Sequence, residues 1–487
     1  MFFRRKTHGR DAHATRFFKE SILMPIIPIN RFRPLPQPLA WLLATLTAIG
    51  YWCAFSLHAG AAGVLLSLPC LFCFGRLRTS RQSFYTGLVL GIVMYAPHLL
   101  FFKEIFGPRG MLLWLIAGFP IGIFLLLLNH AHRRLGAIWV LCLTPVLWTG
   151  IEYFRSELYY LRFAWLLPGQ AAAFLPGVRL ATLGVYGLGF VYALAAAMAV
   201  GQHLILRGVG LISLVLVAVL MYLPALPPTR STGPLHVAGM QLEYPDERQA
   251  AKSLNLLAIA HPEAQILVLS EFTFSGPVPP LVREVLKKHH RYLIVGGTRR
   301  LDDERFYNTA FVIGPDGQDV FNQAKSVPVQ FMSDGLPAVE RRVWESPWGK
   351  IGIAVCYDLS YTRVMDDFVR QGARGLIIPT MDLASWGEYE RRMLHGRMAP
   401  IRSAEYGIPT FGVWSSGISQ LTDRSGRVIA TAGYPGQGEM IAGPFDLSQP
   451  GRLPPDRFLA MATSIATGAF IVYLLFVNLT RHRSRSL

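Results

Sequence analysis

The sequence predicts a multi-span α-helical membrane protein that carries an α/β domain outside the bilayer, and three observations predict it. Of 487 residues, 52% are hydrophobic and only 16% charged, where a soluble protein of this size carries about a quarter of its residues as charges. The apolar residues gather in residues 37–228 and again in 458–480. Between these zones, residues 235–450 alternate short β-branched runs with helical pattern. This distribution excludes a disordered chain and an entirely soluble globule.

Within the first zone, apolar stretches lie near 38–58, 60–75, 83–102, 110–130, 135–153, 180–205 and 209–226, and an isolated eighth lies near 458–480. Each approaches the roughly 20 residues that a helix needs to cross the hydrocarbon core, and none shows the polar stripe of a surface helix. The expected plan is a basic cytoplasmic segment 1–36, a seven-span region 37–228, an α/β domain 235–450, a last span 458–480 and a basic cytoplasmic tail 481–487.

The net charge of +17 would suit a nucleic-acid binder if it were spread over one face. Instead, eight basic residues crowd into positions 1–33 against Asp11 and Glu20, and Arg481, Arg483 and Arg485 close the chain. Beside hydrophobic spans such charge orients a membrane protein. With the N-terminus cytoplasmic, Arg76/Arg78/Arg81, Arg133/Arg134 and Arg207 also fall inside, and residues 235–450 fall outside. A long basic segment precedes the first span and no small-residue cleavage site follows it, so an uncleaved anchor is expected.

Four of the five cysteines (Cys53, Cys70, Cys73 and Cys142) lie in expected spans, where a thiol packs as a small hydrophobe. Cys70 and Cys73 have no second ligand pair nearby to make a metal site. The outer domain holds Cys356 alone, so disulfides do not staple it.

In that domain, strands are expected at 235–242, 265–272, 291–298, 350–358 and 374–380, and helices at 247–260, 280–290, 361–372 and 386–406. Hairpins turn at Asp316-Gly317 and Ser425-Gly426. No glycine-rich phosphate loop follows any strand, so nucleotide binding has no support. Three residues stand where chemistry usually stands: Glu271 closes ILVLSE, Lys325 follows VFNQA, and Cys356 closes IGIAVC. Singly, each has an ordinary explanation as a cap, a solvated cation or a core thiol.

Together, the order Glu…Lys…Cys with C-Y-D after a strand resembles the nitrilase (carbon–nitrogen hydrolase) superfamily, and within it the apolipoprotein N-acyltransferase family. The likeness runs through both zones. WTGIEYFRS, RFAWLLPGQ and LGVYGLGFVYALAAAMAV precede VAGMQ, LSE, the lysine segment, AVCYD, SWGEYERRMLHGRMAPIRSAE and VWSSGIS in the family's order. One segment departs from it. Where the family usually reads V-P-F-G-E-Y-x-P, this chain has KSVPVQFMSDGLP, with Ser333 eight residues past the lysine and Asp334 next. Tyr244 also stands where a tryptophan is expected.

The resemblance implies an αββα nitrilase-like sandwich facing the periplasm, multi-pass in a bacterial inner membrane. It also implies a ping-pong acyl transfer without metal or nucleotide cofactor. Cys356 is the implied nucleophile, Glu271 the general base and Lys325 the oxyanion partner. The partners would be a phospholipid acyl donor, a diacylated apolipoprotein acceptor and the bilayer, with no nucleic acid. Asp358 is expected either to hold Lys325 or a loop, or to cap a helix. Tyr357, Trp386 and Trp414 are candidates for a pocket wall, and Asp334 for the missing second acid. His395 is expected to be structural, and Arg155 and Arg162 either to meet lipid phosphates or to anchor at the interface. A membrane-tethered amidase, with water as acceptor, and a non-catalytic scaffold are the alternatives.

Overall fold

The structure is a computed structural model that describes residues 34–224, 235–386, 389–434 and 436–483. Residues 1–33 of the expected basic segment 1–36, and residues 484–487 of the expected tail 481–487, lie outside the described residues.

Helices occupy every apolar stretch: α1 (Gln37–Ser56), α2 (Gly63–Phe72), α3 (Ser80–Tyr95), α4 (Phe101–Phe106), α5 (Leu112–Arg134), α6 (Ala137–Tyr153), α7 (Val185–Ala199) and α8 (Leu204–Tyr222). Among the described residues, five helical segments are long and apolar enough to cross a membrane. A sixth forms if Pro176–Leu183 and α7, bent by 97° to each other, count as one. The remaining two stretches are shorter for local reasons. Pro69 sits inside α2, which tightens into a 3-10 turn over Cys73–Arg76. Pro97 lies in the 3-10 turn that ends α3, so the stretch read as 83–102 breaks there. At its start, α3 is capped by Thr79, whose hydroxyl accepts from the Gln82 amide.

The outer domain is a stack of two six-stranded sheets. The first runs β12-β1-β2-β3-β4-β5 and the second β11-β10-β9-β8-β7-β6. Their strands are β1 (His236–Met240), β2 (Ile266–Val268), β3 (Tyr292–Arg300), β4 (Phe306–Ile313), β5 (Asp319–Ala324), β6 (Val343–Ser346), β7 (Gly349–Ile353), β8 (Gly375–Thr380), β9 (Thr410–Trp414), β10 (Gln420–Thr422), β11 (Val428–Thr431) and β12 (Met440–Pro444). β1, β2 and β3 pair in parallel, as do β7, β8 and β9, and antiparallel strands complete both sheets.

Side-chain alternation accounts for the layering. Val237, Ile266, Val268 and Ile294 point into a core shared with Ile351, Ile353, Ile378 and Val413 of the second sheet. Their neighbours Ala238, Met240, Leu267, Leu293 and Val295 point the other way, onto α9 (Glu247–Ala260) and α10 (Pro280–His289). The far face of the second sheet is covered by α11 (Thr362–Arg370), whose Met365 and Phe368 are fully buried. Both hairpins turn at the expected glycines, Gly317 (φ 77°) and Gly426 (φ 84°). The stretch read as one helix over 386–406 is two, α12 (Tyr389–Gly396) and α13 (Met398–Tyr406). The final helix is α14 (Asp456–Arg483).

Buried polar contacts sew the domain to the helices. Glu157, in the π-turn after α6, accepts from the Thr362 amide and hydroxyl (both 2.8 Å) and pairs with Arg363 (2.9 Å). Arg397 donates to the carbonyls of Ala171 and Phe55. At the start of α14, Arg457 pairs with Asp366, Glu405 and Asp456. The segment 154–179 therefore lies largely inside this junction, with residues 164–172 all buried.

Candidate active site

The first sheet delivers a carboxylate. β2 ends at Val268, and the chain turns sharply through Ser270, Glu271 and Phe272, the last at φ 51°. Gly296 of β3 permits that turn, because a Cβ there would sit 2.4 Å from the Glu271 Cα. Glu271 is 2% exposed. Its Oε1 accepts from Lys325 Nζ at 2.9 Å and Asn308 Nδ2 at 2.6 Å, and its Oε2 from the Met381 amide at 2.8 Å.

Lys325 follows β5 directly and is 1% exposed, unlike the solvated lysine common after a hairpin. Besides Glu271 it meets Asp334 Oδ2 at 2.7 Å. Burial alone would lower its pKa. Asp334, the Cys356 sulfur and Glu271 outweigh that, and the ammonium is held well above its usual range. In the segment KSVPVQFMSDGLP it is Asp334, not Ser333, that brings a second carboxylate to the lysine. Asp334 also accepts from Asn308 Nδ2 (2.8 Å) and the Val329 amide (2.7 Å).

The second sheet delivers the thiol. β7 ends at Ile353, and Cys356 opens a 3-10 turn at φ 52°, a left-handed conformation that costs a non-glycine residue and turns its side chain out of the strand line. Burial pushes the thiol pKa well up, with the Glu271 carboxylate adding to the rise and Lys325 opposing it. At rest the sulfur is therefore a neutral thiol beside a carboxylate and an ammonium. Asp358 holds the frame: its carboxylate accepts from the amides of Ser326 (3.0 Å), Val327 (2.7 Å) and Val355 (3.2 Å). Of the expected alternatives it thus holds a loop, the one that follows Lys325, together with the approach to Cys356. Burial raises its pKa to about 6 against the pull of those amides and of Lys325.

A cavity of about 670 Å³ opens at Cys356 and runs along Phe101, Phe119, Ile151 and Ile471 of the helices. Tyr357 and Trp386 line it. Trp414 does not: it is fully buried behind His395, with its indole N–H directed at His395 Nδ1 (3.3 Å). Trp165 belongs to the wall, edge-on to Tyr357 at 5.7 Å and bonded to Ser360 Oγ at 2.7 Å. Arg155, expected at the interface, is buried instead and donates to the carbonyls of Phe163 and Trp165. The Tyr51 hydroxyl donates to the next carbonyl, that of Leu166.

Three residues that sequence reasoning missed shape the site: Asn308, which bridges Glu271 and Asp334, Trp165, and Met381, whose amide meets Glu271. A buried asparagine inside the strand FYNTAFVI was the available signal for the first.

Two family models match the chain: the apolipoprotein N-acyltransferase N-terminal domain over residues 47–198 and the carbon–nitrogen hydrolase domain over residues 243–451. An apolipoprotein N-acyltransferase of Geobacter metallireducens is 25% identical over 429 residues, 74% of this chain and 80% of the relative. This chain belongs to the apolipoprotein N-acyltransferase family. Like others of the family, it joins a multi-pass membrane region to a nitrilase-superfamily domain. That domain alone is 29% identical to an omega-amidase of Xenopus laevis over 177 residues, 33% of this chain and 63% of the amidase. A solved nitrilase-superfamily protein of Saccharomyces cerevisiae superposes with a TM-score of 0.38 at 19% identity, covering 44% of this chain and 90% of its own.

Proposed function

We propose that this protein, in a bacterial inner membrane with its α/β domain facing the periplasm, moves an acyl chain from a phospholipid through a Cys356 thioester to the N-terminal amine of a diacylglyceryl-cysteine apolipoprotein. The observation that carries this reading is the continuity of one apolar cavity from the Cys356 sulfur to membrane-facing helix surfaces.

Glu271 takes the thiol proton as sulfur attacks the ester carbonyl. The oxyanion that forms is stabilised by Lys325 and by the backbone N–H following Cys356; one such donor is worth roughly 3–4 kcal/mol. Collapse expels the lysophospholipid oxygen, which recovers the proton from Glu271, and leaves the acyl chain on sulfur. The acceptor amine then attacks the thioester and gives its proton to Glu271, and the thiolate leaves and is reprotonated. The raised thiol pKa means that the resting sulfur is protonated and gives up its proton to Glu271 only as it attacks. An apolar cavity favours the amine over water at the thioester stage.

The test supplies the purified full chain in nanodiscs with phosphatidylethanolamine and a diacylated lipopeptide and follows the lipopeptide by mass spectrometry. A third acyl chain on the lipopeptide amine, lost in Cys356→Ala, is the expected result. Release of free fatty acid without lipopeptide modification would replace the transferase by a hydrolase.

A further inference from the structure

The cavity has a far end as well as a reactive one, and two glycines, Gly150 and Gly468, stand on its wall. Its sides are formed by α5, through Ile116 and Phe119, and by α14, through Gly468 and Ile471, with Ile151 of α6 between them. Glycines in membrane helices usually let two helices touch. Gly150 of α6 does this: a Cβ there would fall 2.5 Å from the Thr463 carbonyl oxygen of α14. Gly468 does not. A Cβ at Gly468 meets no heavy atom within 4 Å, and the residue lies mid-helix, where no turn requires it. Glycine in a helix interior weakens the helix relative to alanine, so its local cost there is offset by no packing. What Gly468 leaves is room on the cavity wall.

The lining fits one occupant. Phe101, Phe119, Ile151 and Ile471 make an apolar wall that suits a lipid tail, and Gly468 lies on the exposed side of α14 along the same wall, with Ile471 about one turn farther along the helix.

We propose that Gly468 sets the acyl-chain length this site accepts by keeping the deep part of the cavity open. The proposal rests on the thioester reading above. A chain whose carbonyl sits at Cys356 lies along the Ile151 floor, and its distal carbons pass Gly468. A large side chain at that position would shorten the cavity while leaving the end near the sulfur in place.

The experiment measures Cys356 acylation by intact-protein mass spectrometry, using dioctanoyl and dipalmitoyl phosphatidylethanolamine with wild type, Gly468→Ala and Gly468→Phe, all full-length in nanodiscs. The expected result is a drop of at least tenfold in the dipalmitoyl-to-dioctanoyl labelling ratio for Gly468→Phe, with Gly468→Ala between it and wild type. Labelling by the short donor shows within the same sample that the variant is folded. A Gly468→Phe ratio equal to that of wild type overturns the proposal and leaves the thioester reading standing. A Gly468→Phe protein that accepts neither donor, with a wild-type ratio in Gly468→Ala, also overturns it. Absence of any acyl-enzyme in the wild type would remove both.

Discussion

Two carboxylates face Lys325, and they are built into the molecule differently. Glu271 stands on a turn clamped to β3, where Gly296 leaves no room for a side chain, and three donors fix its two oxygens. Asp334 stands on the segment 326–335, which touches the rest of the protein more sparingly. Asp358 grips the segment's first residues, Phe331 meets Phe106 edge-on at 6.2 Å, and Gln330 bonds to the Tyr160 carbonyl at 3.2 Å. The difference suggests separate duties. The carboxylate welded into the sheet is the one suited to moving protons at a fixed distance. The loop carboxylate balances the charge of the lysine.

Removing the shared cation is expected to have the largest effect. Lys325→Met leaves two buried carboxylates facing each other, so thermal unfolding should show a loss of about 3–5 kcal/mol. Acylation should fall by at least the ~10²–10³ expected for one oxyanion donor. Wild-type stability in this variant would mean that the three groups do not form one unit.

Glu271→Gln comes next, with acylation reduced by about 10²–10⁴, the usual contribution of a general base. The same change removes the negative charge that raises the thiol pKa. Cys356 should therefore be alkylated by iodoacetamide at lower pH than in wild type even as turnover disappears. A thiol whose titration moves upward instead would contradict the placement of Glu271.

Asp334→Asn should cost less, about tenfold, because Asn308 and Glu271 still hold the lysine. A loss as large as that of Glu271→Gln, measured in the same acylation assay, would erase the distinction between the two acids.

The smallest effect is a pH dependence. Asp358, with its pKa raised to about 6, gains a proton as pH falls from 7 to 5, and its grip on the Ser326 and Val327 amides weakens. Because the folded pKa lies above the ordinary carboxylate value, this group's own contribution to stability increases as pH falls through that window. The expected outcome is a reversible loss of activity near pH 6, without unfolding through Asp358, that shifts in Asp358→Asn. An unshifted acid limb would assign it to another group.

Much of this was legible in the sequence because it is encoded locally. The runs ILVLSE and IGIAVC mark buried strand ends, and the order Glu271, Lys325, Cys356 needs no tertiary information. The apolar stretches declare their helices in the same way, although Pro69 and Pro97 shorten two of them. What was not legible depends on long-range packing. Asp334 could be paired with Lys325 only once the loop path was known. Asn308 is ordinary until β4 is placed beside Glu271, 37 positions away in the chain. Arg155 reads as an interfacial cation, yet the carbonyls of Phe163, Trp165 and Leu166 bend back and claim it. Trp414, expected in the pocket wall, is walled off by His395, and Trp165, for which no role was expected, reaches the cavity from the membrane region.

The most direct measurement is intact-protein and peptide mass spectrometry of the full chain after exposure to phospholipid with no acceptor present. The expected result is one fatty-acyl mass on the peptide containing Cys356, released by neutral hydroxylamine and absent in Cys356→Ser after the same treatment. An unmodified Cys356 under conditions in which the protein still acylates a lipopeptide would contradict the covalent route.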